Sequence, residues 1–142
     1  MKTVEFQGMT IKLDRPKGFV QKGKDKDGKP WERKYLVDYG YVPRTKGGDG
    51  DQLDVFLGED KEADEAFWVE QHKDDGEFDE FKVMLGFPTK VAAVACYKQH
   101  IPAKYMGRVF TMKVGMMRSM LGVEPLTKQA AMLGFLEEMS CG

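Results

Sequence analysis

The chain has 142 residues, 42% of them hydrophobic and 32% charged, with a net charge of −1. This length and balance suit one globular domain over residues 1–142 with its own core, and exclude a disordered or fibrous chain. No run of about 18 apolar residues offers a membrane span, and two cysteines, Cys96 and Cys141, cannot form a disulfide framework.

The N-terminus "MKTVEFQGMTIKLD" alternates polar and apolar residues and lacks a signal peptide's apolar block, so a reducing, cytoplasmic setting is expected. "TVEF" and "TIKL" read as strands, and "GFVQKG" leads into "DKDGKP", whose Asp27-Gly28 pair signals a turn. "WERKYLV" continues the strand pattern, whereas "DYGYVPRTKGGDGDQ" is loop-like, punctuated by Gly and Pro. "LDVFLG", "AFWVEQH" and "FKVMLGF" are three further strands, the last two joined by the acidic turn "KDDGEFDE". After "FPT" the period changes. Thr89 can cap a helix "KVAAVACYKQH" that Pro102 stops, a short "RVF" strand follows, and helices are expected around "KVGMMRSML" and through "PLTKQAAMLGFLEEM". Seven of the ten methionines fall between Met106 and Met139 and read as flexible core filling. Phe56, Trp68, Phe81 and Phe87 sit among apolar strand neighbours and read as core. Five or six short strands followed by late helices predict an α+β fold, a small antiparallel barrel with helices packed outside it.

Charge is segregated along the chain. Residues 1–34 carry +5, residues 49–80 carry −12 and residues 81–142 carry +5. Such blocks suit a site that binds metal cations on one wall and an anion on the other, while "EDKEADE", Glu59 to Glu65, reads as solvated surface. The densest acids are Asp49, Asp51 and Asp54 in "GGDGDQLDVFLGED". Like carboxylates repel unless a cation or solvent lies between them. Residues two apart on an extended segment share a face, and a bend before Leu53 brings Asp54 to the same point. Hard oxygen ligands so placed suit Mg²⁺ or Mn²⁺. A calcium loop fits poorly: counting from Asp49, its glycine and glutamate positions hold Asp54 and Asp60.

Upstream of these acids stand Tyr35, Tyr39 and Tyr41. The continuous stretch "YLVDYGYVPRTKGGDGDQLDV" resembles the signature of the soluble (family I) inorganic pyrophosphatases, metal-dependent enzymes on an oligonucleotide-binding (OB)-like barrel. "FDEFKVMLGF" is similar to the small pyrophosphatase-like domains encoded by bacteriophages and prophages. The resemblance covers about residues 10–100, leaving 101–142 as a helical C-terminal extension. It implies a metal triad of Asp49, Asp51 and Asp54 and an active-site tyrosine, Tyr39. In "DDGEFDEFK" it implies a second acidic cluster followed by a lysine. There Asp75, Glu80 and Lys82 fit the family's spacing, whereas Asp79 fits its residue type. Tyr97 and Lys98 of "CYKQH" match an expected phosphate-binding pair. The front end departs from the pattern. Asp14 stands where the family has a glutamate, Lys22 or Lys24 can serve as the phosphate lysine, and Arg33 or Lys34 lies near the family's arginine.

The activity implied is hydrolysis of inorganic pyrophosphate to two phosphates, with Mg²⁺ as cofactor and Mn²⁺ as a substitute. Two metal ions lower the pKa of a water and clamp the attacking and leaving oxygens. Asp51 would lie nearest that water. Lys22, Arg33, Lys82, Tyr39, Tyr97 and Lys98 would bind the phosphates. Two rival readings stand beside it: a phage module with a structural or interaction role and little catalysis, and a hydrolase of a larger nucleotide phosphoanhydride. The expected partner is a small anionic phosphate compound. A membrane is excluded, and nucleic acid is disfavoured because the acidic block repels phosphate backbones. The apolar C-terminal helices would suit a homo-oligomer or a phage protein assembly.

Overall fold

The N-terminal alternation folds into an antiparallel pair, β1 (Lys2–Phe6) and β2 (Met9–Arg15), with Val4 opposite Ile11. The structure, a computed structural model, describes residues 2–43 and 52–121. Seven further strands follow: β3 (Val20–Lys24), β4 (Pro30–Lys34), β5 (Asp38–Val42), β6 (Leu53–Leu57), β7 (Glu65–His72), β8 (Phe78–Leu85) and β9 (Met106–Lys113). Helix α1 spans Lys90–His100 and α2 spans Val114–Leu121. The "PLTKQAAMLGFLEEM" helix and Cys141 lie outside the described residues.

The strands form a seven-stranded sheet in the order β1-β2-β5-β6-β8-β7-β9, with β3 and β4 paired as a separate ribbon. The expected antiparallel barrel is not what forms. The order ends at β1 and β9, no ladder joins those edges among the described residues, and β6 pairs with β8 in parallel. The hairpin β7–β8 docks through its second strand, so β7 lies outside β8, and β3–β4 contributes no strand to closure. A second correction concerns "DYGYV", expected as loop and found as β5. A Cβ on Gly40 would come within 2.0 Å of the Lys12 carbonyl oxygen, so this glycine permits close approach of β2 and β5. The strand expected through Val37 ends at Lys34, and the expected "RVF" strand is the eight-residue edge strand β9.

Alternation sorts the core onto the two faces of the sheet. One face collects Ile11, Leu13, Leu53, Val55, Trp68, Phe81, Val83 and Leu85, and α2 covers it with Val114, Met117 and Met120. The other collects Tyr35, Tyr39, Phe56, Phe67, Val69 and Met84 against Ala93, Cys96 and Tyr97 of α1. Phe56, Trp68, Phe81 and Phe87 are buried as expected, and Met112, Met117 and Met120 fill core. Burial pushes the Cys96 thiol up to about 11, which keeps it protonated. Among the described residues no helix is long and apolar enough to cross a membrane.

Thr89 caps α1, accepting from the Ala92 N–H at 3.1 Å. At the other end His100, 5% exposed, latches the helix to the segment before β5. Its Nδ1 donates to the Cys96 carbonyl at 2.7 Å and its Nε2 accepts from the Leu36 N–H at 3.0 Å. This arrangement needs the neutral ring, and burial lowers the imidazole pKa below 6.5, outweighing the Cys96 hydrogen bond. A group held neutral binds fewer protons folded than unfolded, so its stabilisation is whole above pH 6.5 and is lost as pH falls through the lower folded value. The melting temperature should therefore fall between pH 7 and pH 5.5. In His100→Gln it should start lower and fall less steeply over that range, as circular dichroism would record.

Candidate active site

Two neighbouring strands in register make the centre of the site. Asp54 of β6 stands beside Lys82 of β8 in the parallel pair, and Tyr41 of β5 opposes Asp54 from the other side. All three point to the face that carries Tyr39 and Phe56, because residues laterally opposite share a face. The Lys82 Nζ donates to Asp54 Oδ2 at 2.6 Å and to the Tyr39 hydroxyl at 2.8 Å, and lies 3.5 Å from Glu80 Oε1. The Tyr39 hydroxyl in turn donates to Asp54 Oδ2 at 2.6 Å.

Lys82 is 8% exposed. Burial alone would favour the neutral amine, but Tyr39, Asp54 and Glu80 outweigh it and hold the pKa above the ordinary lysine value. For Tyr39, burial is the main cause of a raised pKa; Lys82 opposes it and Asp54 adds to it. Tyr39 therefore remains a phenol and a hydrogen-bond donor. Tyr97, on the inner face of α1, is likewise held protonated by burial, and its hydroxyl donates to Gln71 Oε1 at 2.8 Å.

The second acidic cluster owes its geometry to a β-bulge. Gln71 pairs with Glu80 and His72 with Phe78, so Asp79 is the extra residue on β8. A bulge breaks strict alternation. Asp79 accepts from Gln71 Nε2 at 3.3 Å and lines a cleft of about 390 Å³, while Glu80 faces Lys82. The competing assignments of Asp79 and Glu80 thus have a physical origin: both acids sit at the same end of the site. Arg33, Gln71, His72, Lys82 and Tyr105 line the same cleft. A second cleft, of about 480 Å³, carries Lys12 and Arg118 beside Gly8 and Thr10, with no acid in its lining among the described residues.

The other expected residues are placed unevenly. Asp49 and Asp51 lie outside the described residues. Asp75 is in the exposed β7–β8 turn, where its Oδ1 accepts from the Glu77 N–H at 2.9 Å. Asp14, Lys24 and Lys34 are exposed, and Lys22, also exposed, lies 3.7 Å from Glu32 across the ribbon. Lys98 is exposed, about 100° round the helix from Tyr97. Tyr35 is buried, accepting from Arg15 Nη1 and donating to Gln21 Oε1, each at 2.9 Å. Three participants escaped sequence reasoning. Gln71 carried a signal, a polar residue on the same strand face as Phe67 and Val69. Arg15, whose guanidinium lies 5.4 Å from the Tyr39 ring, carried none. Nor did the buried Glu70, which bridges His72 at 2.8 Å and Arg108 at 3.0 Å.

The carboxylates of Asp54, Asp79 and Glu80 are hard oxygen donors of the kind Mg²⁺ takes. Among the described residues no three acids, histidines or cysteines cluster closely enough to hold a metal.

Removing the Lys82 ammonium would strand the carboxylates it serves. Lys82→Met should cost about 3 kcal/mol of stability in urea denaturation, the low end for breaking a buried pair because Asp54 keeps some solvent. Lys98→Met, at an exposed helix position, should stay within about 0.5 kcal/mol.

Over residues 1–122 the chain matches the family model described as Inorganic Pyrophosphatase. The match runs through β9 and α2, well past the stretch about Tyr39 and Asp54. No curated protein and no solved structure matches it.

Proposed function

The chain belongs to the inorganic pyrophosphatase family, and from that premise we propose that it hydrolyses inorganic pyrophosphate to two phosphates, with Mg²⁺ as cofactor and Mn²⁺ as its substitute. The observation that carries this reading is the convergence of Lys82, Tyr39 and Asp54 beside a cleft that Arg33 enters. Among the described residues the cleft is lined by Arg33, Lys73 and Lys82 and by Asp74 and Asp79, and Asp54 and Glu80 flank Lys82, four acids against three cations. Such a balance attracts a polyanion only if further positive charge joins it.

Asp49, Asp51 and Asp54 would hold the metal from one side and Asp79 and Glu80 from the other, with Asp75 a further candidate. When bound, the metal lowers the pKa of a water and offsets charge on the phosphates. The chain's own groups do the rest. An ammonium has three donors, and two of those on Lys82 serve Asp54 and Tyr39. Among the described residues the third has the longer 3.5 Å contact to Glu80, the one a phosphate oxygen in the cleft would replace. Arg33 supplies a forked donor to the same anion. Tyr39 and Tyr97, both held as phenols, can donate to phosphate oxygens by exchanging their present acceptors, Asp54 and Gln71. Asp51 is assigned to orient the attacking water. That water's oxygen bonds to one phosphorus while the bridging P–O bond breaks, its electron pair leaving on the second phosphate.

Two measurements test this. Millimolar Mg²⁺ or Mn²⁺ should raise the melting temperature, because the folded chain alone presents the acids together. Asp51→Asn should keep or raise the metal-free melting temperature by relieving repulsion from Asp49 and Asp54, yet lower phosphate release by a factor on the order of 10² or more. A destabilised Asp51→Asn with unchanged turnover would sink the assignment. A wild-type chain that binds metal but releases no phosphate would instead be the structural module.

A further inference from the structure

Inorganic pyrophosphate has no aromatic part, yet an exposed aromatic ring stands on the ribbon that carries Arg33 to the cleft. Trp31 lies on β4 two residues before Arg33, so the two side chains share one face of the β3–β4 ribbon. Across the ribbon Gly23 opposes Trp31 and Gln21 opposes Arg33. This face is turned to the site. Arg33 lines the cleft with Asp79 and Lys82, and Gln21 accepts from the buried Tyr35 hydroxyl at 2.9 Å.

The ring is held in place and is open. A Cβ on Gly23 would lie 2.4 Å from Trp31 Cζ2 and 2.6 Å from Cε2, so the indole rests where any side chain at 23 would stand. The Arg33 guanidinium lies 5.8 Å from the indole ring. Yet Trp31 is 38% exposed, whereas the other tryptophan, Trp68, is fully buried. A part-exposed indole seated on bare backbone, with a guanidinium over its ring 5.8 Å from the centroid, is a surface on which a planar base stacks. Two strand residues, about 7 Å, separate Trp31 from Arg33, within reach of a ribose joining a base to its phosphates.

The geometry points to a nucleoside polyphosphate as a second substrate class for this cleft, with its base on Trp31 and its phosphoanhydride at Arg33 and Lys82. This rests on the phosphoanhydride-hydrolase reading and widens it. For a nucleoside diphosphate, water's oxygen bonds to the terminal phosphorus and the bond from that phosphorus to the bridging oxygen breaks. The electron pair leaves on the nucleoside monophosphate, and the water's protons pass to the products and solvent.

Because Trp31 is the accessible tryptophan, its fluorescence reports occupancy independently of turnover. The full chain would be titrated, in Mg²⁺, with the methylene-bridged analogue of ADP, and by calorimetry with methylene bisphosphonate, which keeps the phosphorus groups and lacks the nucleoside. The analogue should quench the exposed emission, and Trp31→Ala should weaken its affinity on the order of tenfold, with Trp31→Phe retaining most of it. Affinity for the bisphosphonate should move less than about twofold, and kcat/KM should fall for ADP and not for pyrophosphate. Absence of quenching, or equal weakening of both ligands in Trp31→Ala and Trp31→Phe, would overturn the subsite; pyrophosphate turnover by the wild type would then still support the pyrophosphatase reading. If neither phosphoanhydride is hydrolysed but the analogue binds through Trp31, the subsite stands and the catalytic reading falls.

Discussion

A buried ammonium organises this molecule. Taking Lys82 out of water is costly, and the cost is met only because a carboxylate, a phenol and a second carboxylate lie within 3.5 Å of its nitrogen. Those groups come from β5, β6 and β8, so the requirement to satisfy one charge constrains three adjacent strands. The parallel register of Asp54 with Lys82 sets their lateral positions through the backbone ladder, leaving little for flexible side chains to decide. Tyr39 then becomes a relay between the two charges: it accepts from one and donates to the other.

Around this centre the two faces of the sheet divide the work. The face under α2 is apolar throughout its cluster and holds the strands together. The other is built from aromatic rings, with Tyr39 edge-on to Phe56 at 4.8 Å and His100 at 4.9 Å from the same ring. Aromatic packing places hydroxyls at set positions while keeping the bodies of the rings dry. The same burial that stabilises these rings holds Tyr39 and Tyr97 as donors. Stability and chemistry therefore draw on the same contacts. Helix α1 belongs to both, latched by His100 at one end and reaching Gln71 through Tyr97 on its inner face.

The β3–β4 ribbon stands apart from that economy. It pairs with itself alone, and its backbone meets the rest of the fold at its base, where Gly18 and Phe19 exchange hydrogen bonds with Tyr35. Arg33 and Trp31 thus ride on an element whose position is set by a few contacts, chief among them the chain Arg15–Tyr35–Gln21. Arg33 is thus carried by a small unit beside the sheet, while Lys82 and the acids about it sit within the sheet.

The sequence by itself determined the local elements and the family. Alternation in "TIKL", the apolar run in "AFWVEQH", the Thr89 cap and the Pro102 stop are governed by neighbours in the chain and were legible from them. The tyrosine and aspartate pattern was legible too, because its spacing is short. What only the tertiary structure decided was long-range. No local signal told that β8 would pair in parallel with β6, that a bulge would fall at Asp79 beside Glu80, or that no ladder would join β1 to β9 among the described residues. Gly40 read as loop punctuation because a residue's need for closeness to another strand is invisible along the chain. Arg15 and Gln71 were missed for the same reason. Their partners are 20 and 26 residues away, and a hydrogen bond at that separation is settled by how strands register, which depends on the whole sheet at once.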